Sequence, residues 1–251
     1  MAHFFVPPKN ILGNSFHFDP SESRHLTKVL RKKPGDVIQI FNGEGLIRSA
    51  KILDLADGSK VAGEILDLPA LYRPPALFTS PRNLRIYPSI LKGPRFDWMV
   101  EKLTELGVEA IHPVFTVRTV VPAAAKFSDS KLKRWENIVL SAAKQCGRAV
   151  IPRVLPPVPF ANAVESVQPT DISCVLWESE EKKSISDFFK DLKLSGKIGA
   201  AVNLFVGPEG GLTVEEANLA IRFGIVPVHL GENILRAETA AVAAASYLLL
   251  A

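Results

Sequence analysis

The stretch NLFVGPEGGLTVEEA, Asn203 to Ala217, sets an apolar run directly ahead of three glycines, a proline and a threonine–glutamate pair. A short apolar run bounded by turn residues reads as a buried strand. Thr213 and Glu216 have the spacing of a capping box, so a helix is expected to start just after Thr213. A strand, a glycine-rich turn and a helix in that order is one unit of a parallel α/β sheet, whose ligands bind beyond the carboxyl ends of the strands. The capping box accounts for Thr213 and Glu216 and leaves Gly207, Pro208, Glu209, Gly210 and Gly211 for another purpose. A nucleotide phosphate fits them poorly. Neither GxxxxGK[ST] nor GxGxxG is present, and Glu209 would repel a phosphate. A carboxylate suits a ligand with positive charge or donor groups, and glycines let backbone amides approach a flat ring closely.

The same alternation extends on both sides of this stretch. LRIYPSIL (84–91) reads as a strand. Pro94 to Leu106 reads as a helix, with proline in its first turn, Phe96, Met99, Leu103 and Leu106 at helical spacing, and Gly107 as the stop. IHPVF reads as one further strand, Asp129 to Cys146 as a helix ended by Gly147, and ISCVLW, NLFVG and VPVHLG as three more strands. The expected fold class is therefore α/β, a mostly parallel sheet with helices packed on its faces. Three loops would share its ligand-binding end: WESEE (177–181), GPEGGLT (207–213) and GENILRAET (231–239). The last helix is expected to start near Arg236–Ala237. Glu238 in its first turn suits the helix dipole, whereas a cation at Arg236 does not, which makes Arg236 the better functional candidate.

The first seventy or so residues read differently. VIQIF (37–41), LIRSAKILDL (46–55) and KVAGEILDL (60–68) are strand-like runs separated by NGEG and ADGS, which are hairpin signals. A meander this short is expected to close into a small barrel. A helix starting at Ser21 would interrupt it, with Leu26, Val29 and Leu30 facing the barrel and Arg24, His25, Lys28, Arg31 and Lys32 left for solvent or a ligand. SESRHLTKVLRKK (21–33) carries five Lys or Arg and a single Glu, a concentrated basic element. Prolines 69, 74, 75 and 81 place a linker at about 69–82, and the domains are expected at 1–72 and 73–251.

Composition narrows the function classes. The chain of 251 residues is 47% apolar and 22% charged, enough for a proper core and without low-complexity tracts. The opening MAHFFVPPKN lacks the pattern of a secretory signal, and TAAVAAASYLLLA at the end is too short for a bilayer span. Cys146 and Cys174 stand far apart, and the five histidines are scattered, so no metal site is expected and a cytoplasmic, reducing setting is. The net charge of +4 is mild, so its placement matters more than its size.

GPEGGLTVEE followed by LGENILRAETA resembles the paired signature of the RsmE family, bacterial methyltransferases of the SPOUT class. RHLTKVLR (24–31), the run from Lys92 through EKLTELGVEAIHP (101–113), and AAKQCGR (142–148) match further segments of that family in order. The resemblance implies a SPOUT sheet tied in a C-terminal trefoil knot, preceded by a small PUA-like β-barrel that binds RNA. It implies methylation of N3 of a uridine in 16S ribosomal RNA of the small subunit (uridine 1498 in the customary RNA numbering), with S-adenosylmethionine as cofactor, and a homodimer.

By the same resemblance the cofactor pocket is lined by Trp177, Val206, Gly207, Pro208, Glu209, Gly210, Leu230, Gly231, Ile234, Leu235 and Arg236. Uridine N3 must lose a proton, so Arg236 is the candidate for stabilising charge on the uracil oxygens, with Glu238 or Glu209 as weaker candidates for base. Arg24, Lys28 and Arg31, with Lys92, Arg95, Arg118 and Arg148, are the candidate RNA contacts. Two positions depart from the family pattern: His3 stands where an arginine is usual, and Lys144 where a glutamate is usual. A SPOUT enzyme acting on transfer RNA and a non-catalytic RNA-binding assembly protein on the same scaffold are the alternative readings.

Overall fold

The computed structural model describes residues 3–55, 60–67, 83–120, 127–168, 170–196 and 200–250. The expected ADGS turn and the expected linker at 69–82, with the domain boundary inside it, lie wholly or mostly outside the described residues. Two compact units are found: Met1–Thr79 with Leu140–Ile151, and Ser80–Val139 with Pro152–Ala251.

The first unit is a curled six-stranded sheet. Its strands are β1 (His3–Phe5), β2 (Ile11–Leu12), β3 (Ser15–His17), β4 (Val37–Phe41), β5 (Ile47–Asp54) and β6 (Ala62–Ile65). They lie in the order β1-β4-β5-β6-β3-β2. The NGEG turn forms the expected β4–β5 hairpin, with Phe41 opposite Ile47. Its Asn42 side chain accepts the amides of Glu44 and Leu46 at 2.9 and 3.0 Å. Phe4, Phe16, Phe18, Leu26, Ile40 and Ile52 fill the interior.

The helix in this unit starts one residue before the expected Ser21, as α1 (Pro20–Arg24), and widens into a π-helical turn at His25–Val29. That turn corrects the expected facing of its apolar residues. Leu26 is buried, but Val29 and Leu30 are 67% and 38% exposed. The cause is the bond from Leu30 N–H to the His25 carbonyl, which fits an extra residue into the turn and rotates the succeeding side chains away from the sheet. The backbone then reverses at Arg31, at φ 52. Ser23 takes up the inward position, its hydroxyl accepting the Val61 amide at 3.0 Å.

The two departures from the family pattern both have partners here. His3 is buried and its pKa is lowered, chiefly by loss of solvent, so it is not an exposed cation. Lys144 Nζ lies 2.6 Å from Glu22 Oε2, while Glu22 Oε1 accepts the Phe5 amide.

The second unit holds a six-stranded sheet, all of it parallel. Its elements are β7 (Leu84–Pro88), α2 (Pro94–Leu106), β8 (Ala110–Ile111), β9 (Val114–Phe115), α3 (Asp129–Cys146, whose last turns group with the first unit), β10 (Arg153–Val154), β11 (Val158–Pro159) and α4 (Phe160–Glu165). They continue through β12 (Ile172–Leu176), α5 (Ile185–Leu194), β13 (Val202–Val206), α6 (Val214–Arg222), β14 (Val226–Val228) and α7 (Ala237–Leu250). The order is β10-β8-β7-β13-β12-β14. The bounds of α2 and α3 are those expected. IHPVF is not one strand: β8 pairs with β7, and β9 leaves to pair with β11. Pro113 between them has no N–H to donate, which ends the ladder there.

Tyr87, Phe205 and Val175 point to one face of the sheet, against Phe160, Val164 and Ala220 of α4 and α6. The alternate residues point to the other face, where α7 packs on β7, β13 and α2. Tyr87 stacks on Phe205 at 4.3 Å and on His112 at 4.6 Å. Burial, with Arg85 and Arg153 nearby, drives the His112 pKa down from 6.5 to about 4 against the opposing pull of Glu109. The folded state therefore binds fewer protons than the unfolded state between those values. Stability rises with pH across that window and is lost as pH falls from about 6.5 toward 4. Urea midpoints measured over this range should fall more steeply for the wild type than for His112→Phe; parallel curves would refute the assignment.

Candidate functional site

β12, β13 and β14 run parallel and side by side, with Leu176 opposite both Val206 and Val228. Their carboxyl ends therefore stop at one level, and the three expected loops leave from that level. Together they enclose a cavity of about 530 Å³, within the roughly 300–1,000 Å³ usual for small-molecule sites.

Each residue expected to hold the cofactor lines this cavity: Trp177 from the first loop, Val206 to Gly210 from the second, and Leu230, Gly231, Ile234, Leu235 and Arg236 from the third. Sequence reasoning missed Glu178, His229 and Glu232, which also line it. The WESEE loop carried the signal for Glu178. His229 had none, since its role is local: Nδ1 accepts the Gly231 amide at 3.1 Å and shapes the third loop.

The second loop is held by its own chemistry. The capping box at Thr213 is complete, with Glu216 N–H on the Thr213 hydroxyl and the Thr213 amide on Glu216 Oε2. Gly211 has φ 70, and a methyl group there would overlap the Glu178 carboxylate, so the close approach of the first and second loops needs glycine. Glu209 does not project freely. Its Oε1 accepts the Lys92 amide at 3.1 Å and pairs with Arg95 at 3.3 Å. Arg95, expected at the RNA, lines the cavity through this pair.

Arg236 immediately precedes α7, and its carbonyl accepts the Ala240 amide. Its side chain is exposed at the mouth of the cavity and makes no hydrogen bond or ion pair with any described residue. Glu238 lies two residues further on, in the first turn of α7. It is buried, its Oε2 has no hydrogen-bond partner among the described residues, and it is not among the residues lining the cavity.

The other basic candidates are spread over both units. Arg24, Lys28 and Arg31 are exposed on the first unit. Lys92 and Arg118 are exposed on the second, where Arg118 Nη1 donates to the Gly210 carbonyl at 2.7 Å. Arg148 is half-buried, and desolvation lowers its pKa to about 10, which leaves it a cation at neutral pH. Among the described residues no cluster of His, Cys, Asp and Glu could hold a metal ion, and no helix is long and apolar enough to cross a membrane.

The family model for an RNA methyltransferase domain matches residues 79–249, and that for an RNA methyltransferase PUA domain matches residues 18–66. Ribosomal RNA small subunit methyltransferase E of a Synechocystis species is 33% identical over 94% of this chain and 73% of its own. This chain belongs to the RsmE family. Ribosomal RNA small subunit methyltransferase E of Buchnera aphidicola is 30% identical over 92% of this chain and 86% of its own. The crystal structure of the RsmE protein of Neisseria gonorrhoeae, bound to S-adenosyl methionine, has a TM-score of 0.83 and 32% identity, covering 99% of this chain and 96% of that one.

In RsmE terms the curled sheet belongs to the PUA-like domain and the parallel sheet to the SPOUT domain. The path from edge strand β14 back to α7, which packs on β7 and β13, is its C-terminal crossover.

Proposed function

We propose that this chain methylates N3 of a uridine in 16S ribosomal RNA of the small subunit, with S-adenosylmethionine as methyl donor. The observation that carries the reading is the cavity at the carboxyl ends of β12, β13 and β14, with the unpaired guanidinium of Arg236 at its mouth. The lining fits the donor. Trp177, Leu176 and Val206 offer apolar walls to a flat base, backbone amides border it, and Glu178 and Glu232 offer carboxylates to cationic groups. The Neisseria relative's bound S-adenosyl methionine supports the same choice.

When bound, the cofactor supplies an electrophilic methyl group, and transfer needs no metal. The chain's own task is to hold a nucleophile in line with that methyl, which by itself contributes much of the rate. As uridine N3 loses its proton to solvent, negative charge spreads to the uracil oxygens, and Arg236 stands ready to stabilise it. Its lack of a partner among the described residues and its unfavourable place at a helix N-terminus both favour that role. Of the two carboxylates considered as base, Glu238 lies outside the cavity lining and Glu209 is engaged by Arg95 and the Lys92 amide. The proposal therefore rests on Arg236.

The proposed division of labour gives RNA capture to residues 1–72, through Arg24, Lys28 and Arg31, and methyl transfer to residues 73–251. The same reading takes the protein as a cytoplasmic homodimer. Sedimentation at micromolar concentration should show twice the 27.4 kDa chain mass, and a single-chain species would refute the dimer.

Incubation with labelled S-adenosylmethionine and unmodified 16S RNA or assembled small subunits should yield 3-methyluridine by nucleoside mass spectrometry. Product on transfer RNA alone would transfer the activity to that substrate. Arg236→Ala should lower kcat by about 10²–10³ while leaving cofactor affinity near wild type; unchanged turnover would remove Arg236 from the chemistry. Replacing Arg24, Lys28 and Arg31 together by alanine should weaken RNA binding and flatten its salt dependence by roughly 0.7–0.9 in log–log slope per lost phosphate contact. An unaltered slope would place the RNA elsewhere.

A further inference from the structure

Arg118, a candidate RNA contact by resemblance, is bonded within the protein. Its Nη1 donates to the Gly210 carbonyl at 2.7 Å and reaches the Leu212 carbonyl at 3.5 Å. Its aliphatic stem lies against Gly210, close enough that a Cβ built on that glycine would sit 3.4 Å from the Arg118 Cβ. The next residue back repeats the pattern, since the Val117 amide donates to Glu216 Oε1 at 2.9 Å. Glu216 is thus shared: Oε2 closes the capping box on Thr213, and Oε1 holds residue 117.

The segment that makes these contacts is itself a closed turn. The Thr116 amide bonds to the Thr119 hydroxyl at 2.9 Å, the Thr119 amide to the Thr116 carbonyl at 3.1 Å, and the two hydroxyls to each other at 2.8 Å. On the other side, Glu209 fastens the same loop to Arg95 and the Lys92 amide. The 207–213 loop is therefore gripped from two directions, and Arg118 does its part without lining the cavity.

We infer that Arg118 is a positioning residue for the cofactor loop: by holding the Gly210 and Leu212 carbonyls from behind, it turns the Gly207–Gly211 backbone into the shape that receives the cofactor. The physical reason lies in the loop's composition. Three glycines give it access to many backbone conformations, so an unheld loop would pay the ordering entropy when the ligand binds. A guanidinium bonded to backbone carbonyls removes that cost beforehand, since several donors in a rigid plane fix more of the chain than a lysine can. Functionally the inference rests on the cavity being the cofactor site.

The test compares the wild type, Arg118→Ala and Arg118→Lys as full-length proteins. Amide hydrogen exchange without cofactor should be faster at residues 207–213 in Arg118→Ala, with β4 and β5 unchanged as an internal control. In turnover, KM for S-adenosylmethionine should rise about tenfold, as the loss of these hydrogen bonds implies. The kcat at saturating cofactor should stay within about threefold, and RNA affinity and its salt dependence should not change. Arg118→Lys, which keeps a single donor nitrogen on a flexible stem, should fall between the two. Unchanged loop exchange in Arg118→Ala overturns the inference, and so does a loss of RNA affinity with a flatter salt slope at normal KM. Failure of the wild type to bind S-adenosylmethionine would defeat the proposed function, while the exchange measurement would still decide whether Arg118 holds the loop.

Discussion

Strand β13 is buried at every residue and hydrogen-bonded on both sides, to β7 through Val202–Leu84 and its successors and to β12 through Val202–Ile172. A parallel strand so placed has no freedom of register, because a slip of one residue would send Phe205 to the wrong face and break two ladders at once. That constraint brings Leu176, Val206 and Val228 to a common level and so makes three separate loops into one site. The stack of Tyr87 on Phe205 and the packing of Phe160 against it lock the same face.

The two ends of this sheet are chemically unlike. At the amino ends, Arg85 binds Glu109 and Asp171, while the Asn203 amide donates to Asp171 and Ser173. These groups compensate one another and serve to hold strands together. At the carboxyl ends the charges are deployed differently. Glu209 and Glu216 fix a glycine-rich loop, and Arg236 makes no hydrogen bond or ion pair with any described residue. A cation held at the mouth of a cavity is available to any group that develops negative charge there.

The first unit exposes its basic side chains by a local irregularity. A regular helix from Pro20 would have aimed Leu26, Val29 and Leu30 at the sheet together. The π turn lets only Leu26 enter the core and leaves Arg24, Lys28 and Arg31 on the exposed side, with positive φ at Arg31. Strain of that kind is tolerated where the surroundings over-determine the backbone.

The sequence by itself determined the α/β class of the larger unit, the bounds of α2 and α3, the capping box at Thr213 and the loops that meet at the cavity. These are written in local signals: apolar spacing, a proline in the first turn, a glycine stop, and a threonine three residues before a glutamate. Tertiary structure alone decided the split of IHPVF between two sheets, the grouping of residues 140–151 with the first unit, and the exposure of Val29. It also decided what the charged side chains are for. Glu209 and Arg118 read as a free carboxylate and a free cation, yet their partners lie more than ninety positions away. No spacing rule reaches that far, because which groups meet across such a distance is set by how the strands are ordered in the sheet.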